Sequence, residues 1–236
     1  MKKHDIVYII KNGYDREELI YSIRSVCAHF PYRRIWTYGG RPSGILPDRI
    51  AEITQTGETK WEKVSNTLRE ICCNEDISRD FWLFNDDFFI MKPAGDPEPM
   101  YAGTLDQRVA RIRNMRGGMD SAYGLQLQET ARILRSRGYE TLDYALHIPM
   151  LINREKALQT LDEFEGCPMF RSLYGNHHGI GGRLCSDVKI LEPDRRPDPE
   201  AAYLSTNDKT WNGKAGRYIR SIFSEPCRYE EKTPGV

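Results

Sequence analysis

The twelve residues Asp80–Met91, D-F-W-L-F-N-D-D-F-F-I-M, constrain this chain more than any other stretch. The apolar run Phe81–Phe84 has the length and aromatic content of a strand buried on both faces. Asn85, Asp86 and Asp87 follow in a row, and Phe88, Phe89 and Ile90 resume the apolar pattern at once. Ionised carboxylates among aromatics cost several kcal/mol unless they are paired or hold a metal. The three polar residues therefore belong at a strand end, where the chain leaves the core. In open α/β sheets ligands collect at the carboxyl ends of strands. Two adjacent acids there suit a hard, oxygen-bound divalent cation that neutralises phosphates. The other reading is a strand followed by an acidic turn, since Asn and Asp are good turn formers.

The rest of the chain supplies the partners such a strand needs. Asp5–Ile10 is a β-branched apolar strand closing on the turn Lys11-Asn12-Gly13. Asp15 can cap a helix from about 16 to 30, with Leu19, Ile20, Ile23, Val26 and Cys27 on one face. Arg33–Tyr38 reads as a second strand, followed by the loop Gly39-Gly40-Arg41-Pro42, whose backbone can approach a ligand. Ile50–Thr54 is a short third strand, and a helix follows from about Lys60 to Cys73. Strand–helix–strand alternation with short loops predicts a largely parallel sheet flanked by helices.

Beyond Met91 the pattern loosens. Lys92–Met100, with three prolines, reads as loop, and Glu192–Glu200 likewise. Leu105–Met115 and Arg116 carry an arginine cluster (Arg108, Arg111, Arg113, Arg116) before Gly117-Gly118. Such a cluster either clasps phosphate or forms a solvated helix face. Ala122–Arg137 and Asn153–Phe164 are helices, the second capped by Asn153; Trp211–Phe223 is the last, and the chain frays from Glu225. His147 sits in the apolar segment Tyr144–Pro149, as a hydrogen-bonded core residue or as a catalyst.

Lys plus Arg number 34 and Asp plus Glu 34, so there is no global electrostatic case for nucleic acid or an anionic membrane as partner. No apolar run approaches 18 residues and no export signal is evident, which points to the cytoplasm. The six cysteines are scattered, without C-x-x-C or zinc-finger spacing, and read as free thiols.

Several of these stretches, in order, resemble the Stealth family of sugar-1-phosphate transferases. The family's first block reads D-I-V-Y-T-W-V-D-G, and Asp5–Gly13 is D-I-V-Y-I-I-K-N-G. Its second opens E-L-R-Y-S-L-R-S-I, against E-L-I-Y-S-I-R-S-V at Glu18–Val26, and closes on a strand and N-D-D-x-F, matching Asn85–Phe89. The third begins H-x-P, as at His147–Pro149, and runs on to F-R-S, as at Phe170–Ser172; a last block resembles Asn207-Asp208. The family's Trp and Asp of the first block are Ile10 and Asn12 in this chain.

The resemblance implies a GT-A-like fold over residues 1–225, with a nucleotide-sugar-binding half at 1–91, an acceptor and catalytic half at 92–225, and a tail at 226–236. It implies Mg²⁺ or Mn²⁺ on Asp86 and Asp87, with Asn85, Asp5 and Gly13 lining the donor pocket and Arg24 near the phosphates. His147 and Arg171 would be base and phosphate clamp at the reacting centre, and Asp208 a further acid. The partners implied are a nucleotide-sugar donor and a carbohydrate or other hydroxyl acceptor. The expected reaction is transfer of sugar-1-phosphate; ordinary glycosyl transfer and a non-catalytic nucleotide-sugar-binding domain are the alternatives.

Overall fold

A computed structural model describes residues 3–13, 15–40, 42–114 and 121–231. In chain order the elements are β1 (Asp5–Ile9), α1 (Glu17–His29), β2 (Ile35–Tyr38), β3 (Arg49–Ala51), α2 (Lys60–Cys73), β4 (Asp80–Phe84), β5 (Phe88–Ile90) and β6 (Met100–Tyr101). They continue with α3 (Leu105–Arg113), α4 (Ala122–Ser136), β7 (Met150–Asn153), α5 (Arg154–Glu163) and α6 (Phe170–His177). The chain then adds β8 (Arg183–Leu184), β9 (Tyr203–Ser205), α7 (Asp208–Trp211) and α8 (Lys214–Ile222).

The central sheet has the order β3-β2-β1-β4-β7; the first four strands run parallel and β7 runs antiparallel to β4. The expected mixed α/β architecture, a mostly parallel sheet flanked by helices, is therefore what the chain forms. Alternation along β1 explains why both faces are covered. Ile6, Tyr8 and Ile10 join Leu19, Ile23 and Val26 of α1 together with Trp82 and Phe84. Val7 joins Leu68 and Ile71 of α2, Phe81 and Leu83 of β4, and Ala157 and Leu161 of α5 on the other side. Each such side chain contributes roughly 1.5–3 kcal/mol on burial, so a strand apolar on both faces is stable only in this sandwiched position.

The order also fixes where a ligand can sit. β1, β2 and β3 are laid down in one direction, and α2 then carries the chain back to place β4 on the other side of β1. The sheet thus reverses between β1 and β4, and the carboxyl ends of those two strands flank its topological switch point. Asn85, Asp86 and Asp87 follow β4 there, after which the chain enters a separate two-stranded sheet, β5 paired antiparallel with β9.

Local chemistry sets several boundaries differently from the sequence reading. Asp15 does not cap α1; its Oδ1 accepts from the Ser43 N–H at 3.1 Å, and Arg16 stands at the cap position. β3 ends at Ala51 because the following carbonyl of Ile53 is taken by Asn12 Nδ2, at 2.9 Å. The last helix is two: α7 stops at Trp211 and α8 starts at Lys214, with Gly213 backed against Pro193, where an added Cβ would lie 2.4 Å from the carbonyl oxygen. The segment after Glu225 is not frayed as far as Glu231. Tyr229 is buried, Leu46 N–H donates to its carbonyl at 2.6 Å, and Glu230 is held by Arg24. Asn153 caps α5 as expected, its side chain accepting from Lys156 N–H at 3.1 Å. All six cysteines are free, and no helix among the described residues is long and apolar enough to cross a membrane.

Candidate active site

Asp86 and Asp87 form a turn between β4 and β5, just past the end of the strand. Asp87 is pinned from below: its carbonyl accepts from Thr206 N–H, just past β9, at 3.0 Å. Its Oδ2 accepts from Lys189 Nζ at 2.8 Å, while its Oδ1 is buried with no hydrogen-bond partner among the described residues. The Asp86 carboxyl is pushed up to about 6, chiefly by burial, then by the neighbouring charge of Asp87 and, less, by Glu18, with Arg16 opposing. The Glu18 carboxyl is raised in turn by burial, and Asp208 adds to that shift while Arg16 opposes it. Asp208, the exposed first residue of α7, pairs with Arg16 at 2.6 Å. An acidic face thus runs from Asp87 through Asp86 and Glu18 to Asp208.

The opposite wall is built by His147 and its support. His147 Nδ1 lies 3.1 and 3.2 Å from the two oxygens of Asp187, and Nε2 lies 3.3 Å from Lys189 Nζ. A carboxylate can only accept, so Nδ1 carries the proton and Nε2 presents its lone pair. Burial alone would raise the Asp187 carboxyl, but the His147 hydrogen bond, the Lys189 main-chain N–H and Arg108 hold it down at about 2. Arg108 reaches Asp187 at 3.5 Å and donates to the fully buried Asp143 at 2.9 Å. Thr104 starts α3 with a capping box completed by Gln107, which sets the turn that carries Arg108.

Arg171 closes the floor. It lies in the first turn of α6, after Met169, whose left-handed backbone (φ 61°) redirects the chain into the helix. Its Nη1 donates to Ile148 O at 2.7 Å, and its Nη2 to Leu83 O at 2.9 Å and Asn85 Oδ1 at 3.2 Å. Burial pushes the guanidinium down to about 10, with the Asp87 carboxylate acting the other way, so it stays charged at neutral pH. One side chain thus ties the end of β4 to the approach to β7. A cavity of about 310 Å³, lined by Trp82, Tyr144, Met150 and Tyr174 among others, lies beside the edge strand β7 and shares Arg171 with this site.

The structure brings Asn85, Asp86, Asp87, His147 and Arg171 together, with Asp208 on the adjoining acidic face. Gly13 lies at the same carboxyl edge, in the turn after β1 with φ 69°, near Gly40. Gly39 (φ 99°) is so close to β1 that a Cβ there would fall 1.8 Å from Ile10 O.

Two expected site residues lie elsewhere. Asp5 begins β1 opposite Phe81, about 10 Å along the strand direction from the carboxyl end of β4 at Phe84. It is fully buried and saturated by Arg33 (2.8 and 2.6 Å), Trp36 Nε1 (3.1 Å) and Ser78 N–H (3.0 Å). That is a structural ion pair at the amino end of the sheet. Arg24 binds Glu230 at 2.7 and 2.5 Å and the Phe223 carbonyl at 2.7 Å, docking the C-terminal segment onto α1. In the arginine cluster Arg108 serves Asp143 and Asp187, while Arg111 and Arg113 are exposed on the helix face. Arg116 with Gly117-Gly118, and Arg41 of the loop after β2, lie outside the described residues.

Sequence reasoning passed over Lys189, Asp187 and Asp143. The usable signal was Lys189 itself, a charge alternating with the apolar Val188 and Ile190.

No family model matches the chain, and no curated protein matches it. Among solved structures it is similar to the glycosyltransferase GlyE of Streptococcus pneumoniae TIGR4, in its apo form (11% identity, TM-score 0.33, 78% of this chain and 45% of that one). A second structure of GlyE gives 11% identity and TM-score 0.33 over 95% of this chain and 50% of that one. The chain spans about half the length of the protein it matches.

Proposed function

We propose that the chain is a nucleotide-sugar-dependent transferase that moves sugar-1-phosphate from its donor to an acceptor hydroxyl. The observation that carries this reading is the meeting of a carboxylate-oriented imidazole with the Asp86–Asp87 turn at the switch point of the sheet. The family motifs quoted above fall on those same residues, which supports the reading.

The donor set fits Mg²⁺ or Mn²⁺ of a particular kind. Asp87 Oδ1 is a buried oxygen without a partner, and Asp86 is its acidic neighbour. No group of three or more metal-binding side chains occurs among the described residues. Two carboxylates suit a cation that completes its shell with substrate phosphates and water. Asp86 and Asp87 would hold it, and when bound it would supply charge neutralisation at the diphosphate.

In this reading His147 Nε2 takes the proton of the acceptor hydroxyl, and Asp187 stabilises the resulting imidazolium. The acceptor oxygen bonds to the β-phosphorus, the bond from that phosphorus to the bridging oxygen breaks, and a nucleoside monophosphate leaves. Arg171 contributes fixed positive charge beside the equatorial oxygens.

Product analysis with a panel of nucleotide sugars tests this. Release of nucleoside monophosphate with sugar-1-phosphate on the acceptor is expected. Release of nucleoside diphosphate would instead mean ordinary glycosyl transfer, and donor binding without consumption a non-catalytic domain.

A further inference from the structure

Lys189 is held by a dedicated piece of backbone. Its N–H donates to Asp187 Oδ1 at 3.2 Å, and the residue forms a parallel bridge with Ser205 of β9. Ile190 N–H donates to Ser205 O at 2.9 Å, and Ser205 N–H to Val188 O at 3.3 Å. Ser205 lies opposite Phe88, the residue after Asp87. The same small sheet therefore presents Lys189 and Asp87 to each other, and the Lys189 side chain is mostly buried, at 20% exposure.

Its ammonium engages two groups that a transferase would need unoccupied. Donation to Asp87 Oδ2 at 2.8 Å occupies one oxygen of a cation ligand. Donation to His147 Nε2 at 3.3 Å occupies the lone pair that would accept the hydroxyl proton. While Lys189 stays there, the imidazole lone pair is taken and only Oδ1 of Asp87 is open to a cation. A divalent cation arriving on Asp87 would repel the ammonium, and a diphosphate arriving with that cation offers it stronger acceptors within the reach of a flexible four-carbon stem.

We propose that Lys189 is the diphosphate-binding cation of this site, resting on Asp87 and His147 until a divalent cation and a diphosphate group displace it. Moving one side chain then frees the second oxygen of Asp87 and the base together. The inference rests on the transferase reading in taking the diphosphate to be that of a nucleotide.

Two binding measurements without turnover test it. Inorganic pyrophosphate is titrated into the protein by calorimetry in the presence of saturating Mg²⁺, and Mn²⁺ alone is titrated in a separate experiment. In Lys189→Met, pyrophosphate affinity is expected to fall about tenfold to a hundredfold, for one lost charge-assisted bond. Mn²⁺ affinity is expected to rise, because a competing charge has gone from Asp87. Lys189→Arg, which keeps the charge, is expected to retain most of the pyrophosphate affinity. Unchanged pyrophosphate binding in Lys189→Met overturns the proposal. So does a joint fall in both affinities with a lowered melting temperature, which is the signature of a purely structural lysine. If pyrophosphate binding depends on Lys189 but no nucleotide sugar is consumed by the wild type, the clamp stands and the transferase reading fails.

Discussion

Asp187 holds His147 by its Nδ1, 3.1 Å away, and so decides which nitrogen of the ring faces Asp87 across Lys189. Substituting Asp187→Asn keeps the shape but allows the amide to accept or donate, so the tautomer is no longer fixed. Turnover is expected to fall on the order of 10²–10⁴-fold, the usual worth of positioned general-base catalysis, with KM little changed. Steady-state kinetics of the variant check this; a rise in KM at constant kcat would show that Asp187 serves binding and not the base.

Arg171 is expected to matter to the fold as much as to the chemistry. Arg171→Met leaves the carbonyls of Leu83 and Ile148 without their donor in a half-buried setting. Each lost partner costs about 1–3 kcal/mol, so a marked drop in melting temperature should accompany loss of activity. Unaltered stability would mean that water or another donor takes its place.

Arg24 gives the opposite pattern. Its partners are Glu230 and the carbonyls of Phe223 and Ser224. Arg24→Met should loosen the C-terminal segment, seen as faster amide exchange at 227–231, while donor affinity stays near wild type. A collapse of donor affinity without loss of stability would restore Arg24 to the phosphate site.

Asp86 carries a stability cost that depends on pH. Its carboxyl is raised to about 6, above the ordinary carboxylate value near 4, so the folded state binds the proton more tightly than the unfolded chain does. Stability therefore falls as pH rises between about 4 and 6, and the whole cost, about 3 kcal/mol, is present above 6. Asp86→Asn should raise the melting temperature at pH 8 and lose that advantage near pH 4. Equal melting temperatures at pH 8 would show that Asp86 is not held in a desolvated setting.

Much of this was legible in the chain because the physics was local. A strand apolar on both faces announces a sandwiched sheet, and three polar residues interrupting an aromatic run announce its exit. Asn153 and the capping position it fills were readable for the same reason. Asp5 was misplaced although its position at the start of β1 puts it at the amino end of a parallel strand; a motif match says nothing about which end of a strand faces a ligand. Arg24 was misplaced because its partner lies 206 residues away, in a stretch expected to fray. Lys189 meets Asp87 and His147 across 102 and 42 residues, and no periodicity encodes such a meeting.

The most direct test follows nucleotide release from a panel of nucleotide sugars with Mn²⁺, for the wild type and for Asp87→Ala side by side, with melting curves for both. Wild-type protein is expected to release a nucleoside monophosphate from one donor, and Asp87→Ala to release almost none while still folding cooperatively. Wild-type rates in Asp87→Ala, or no donor consumed by the wild type, would contradict a transferase centred on that turn.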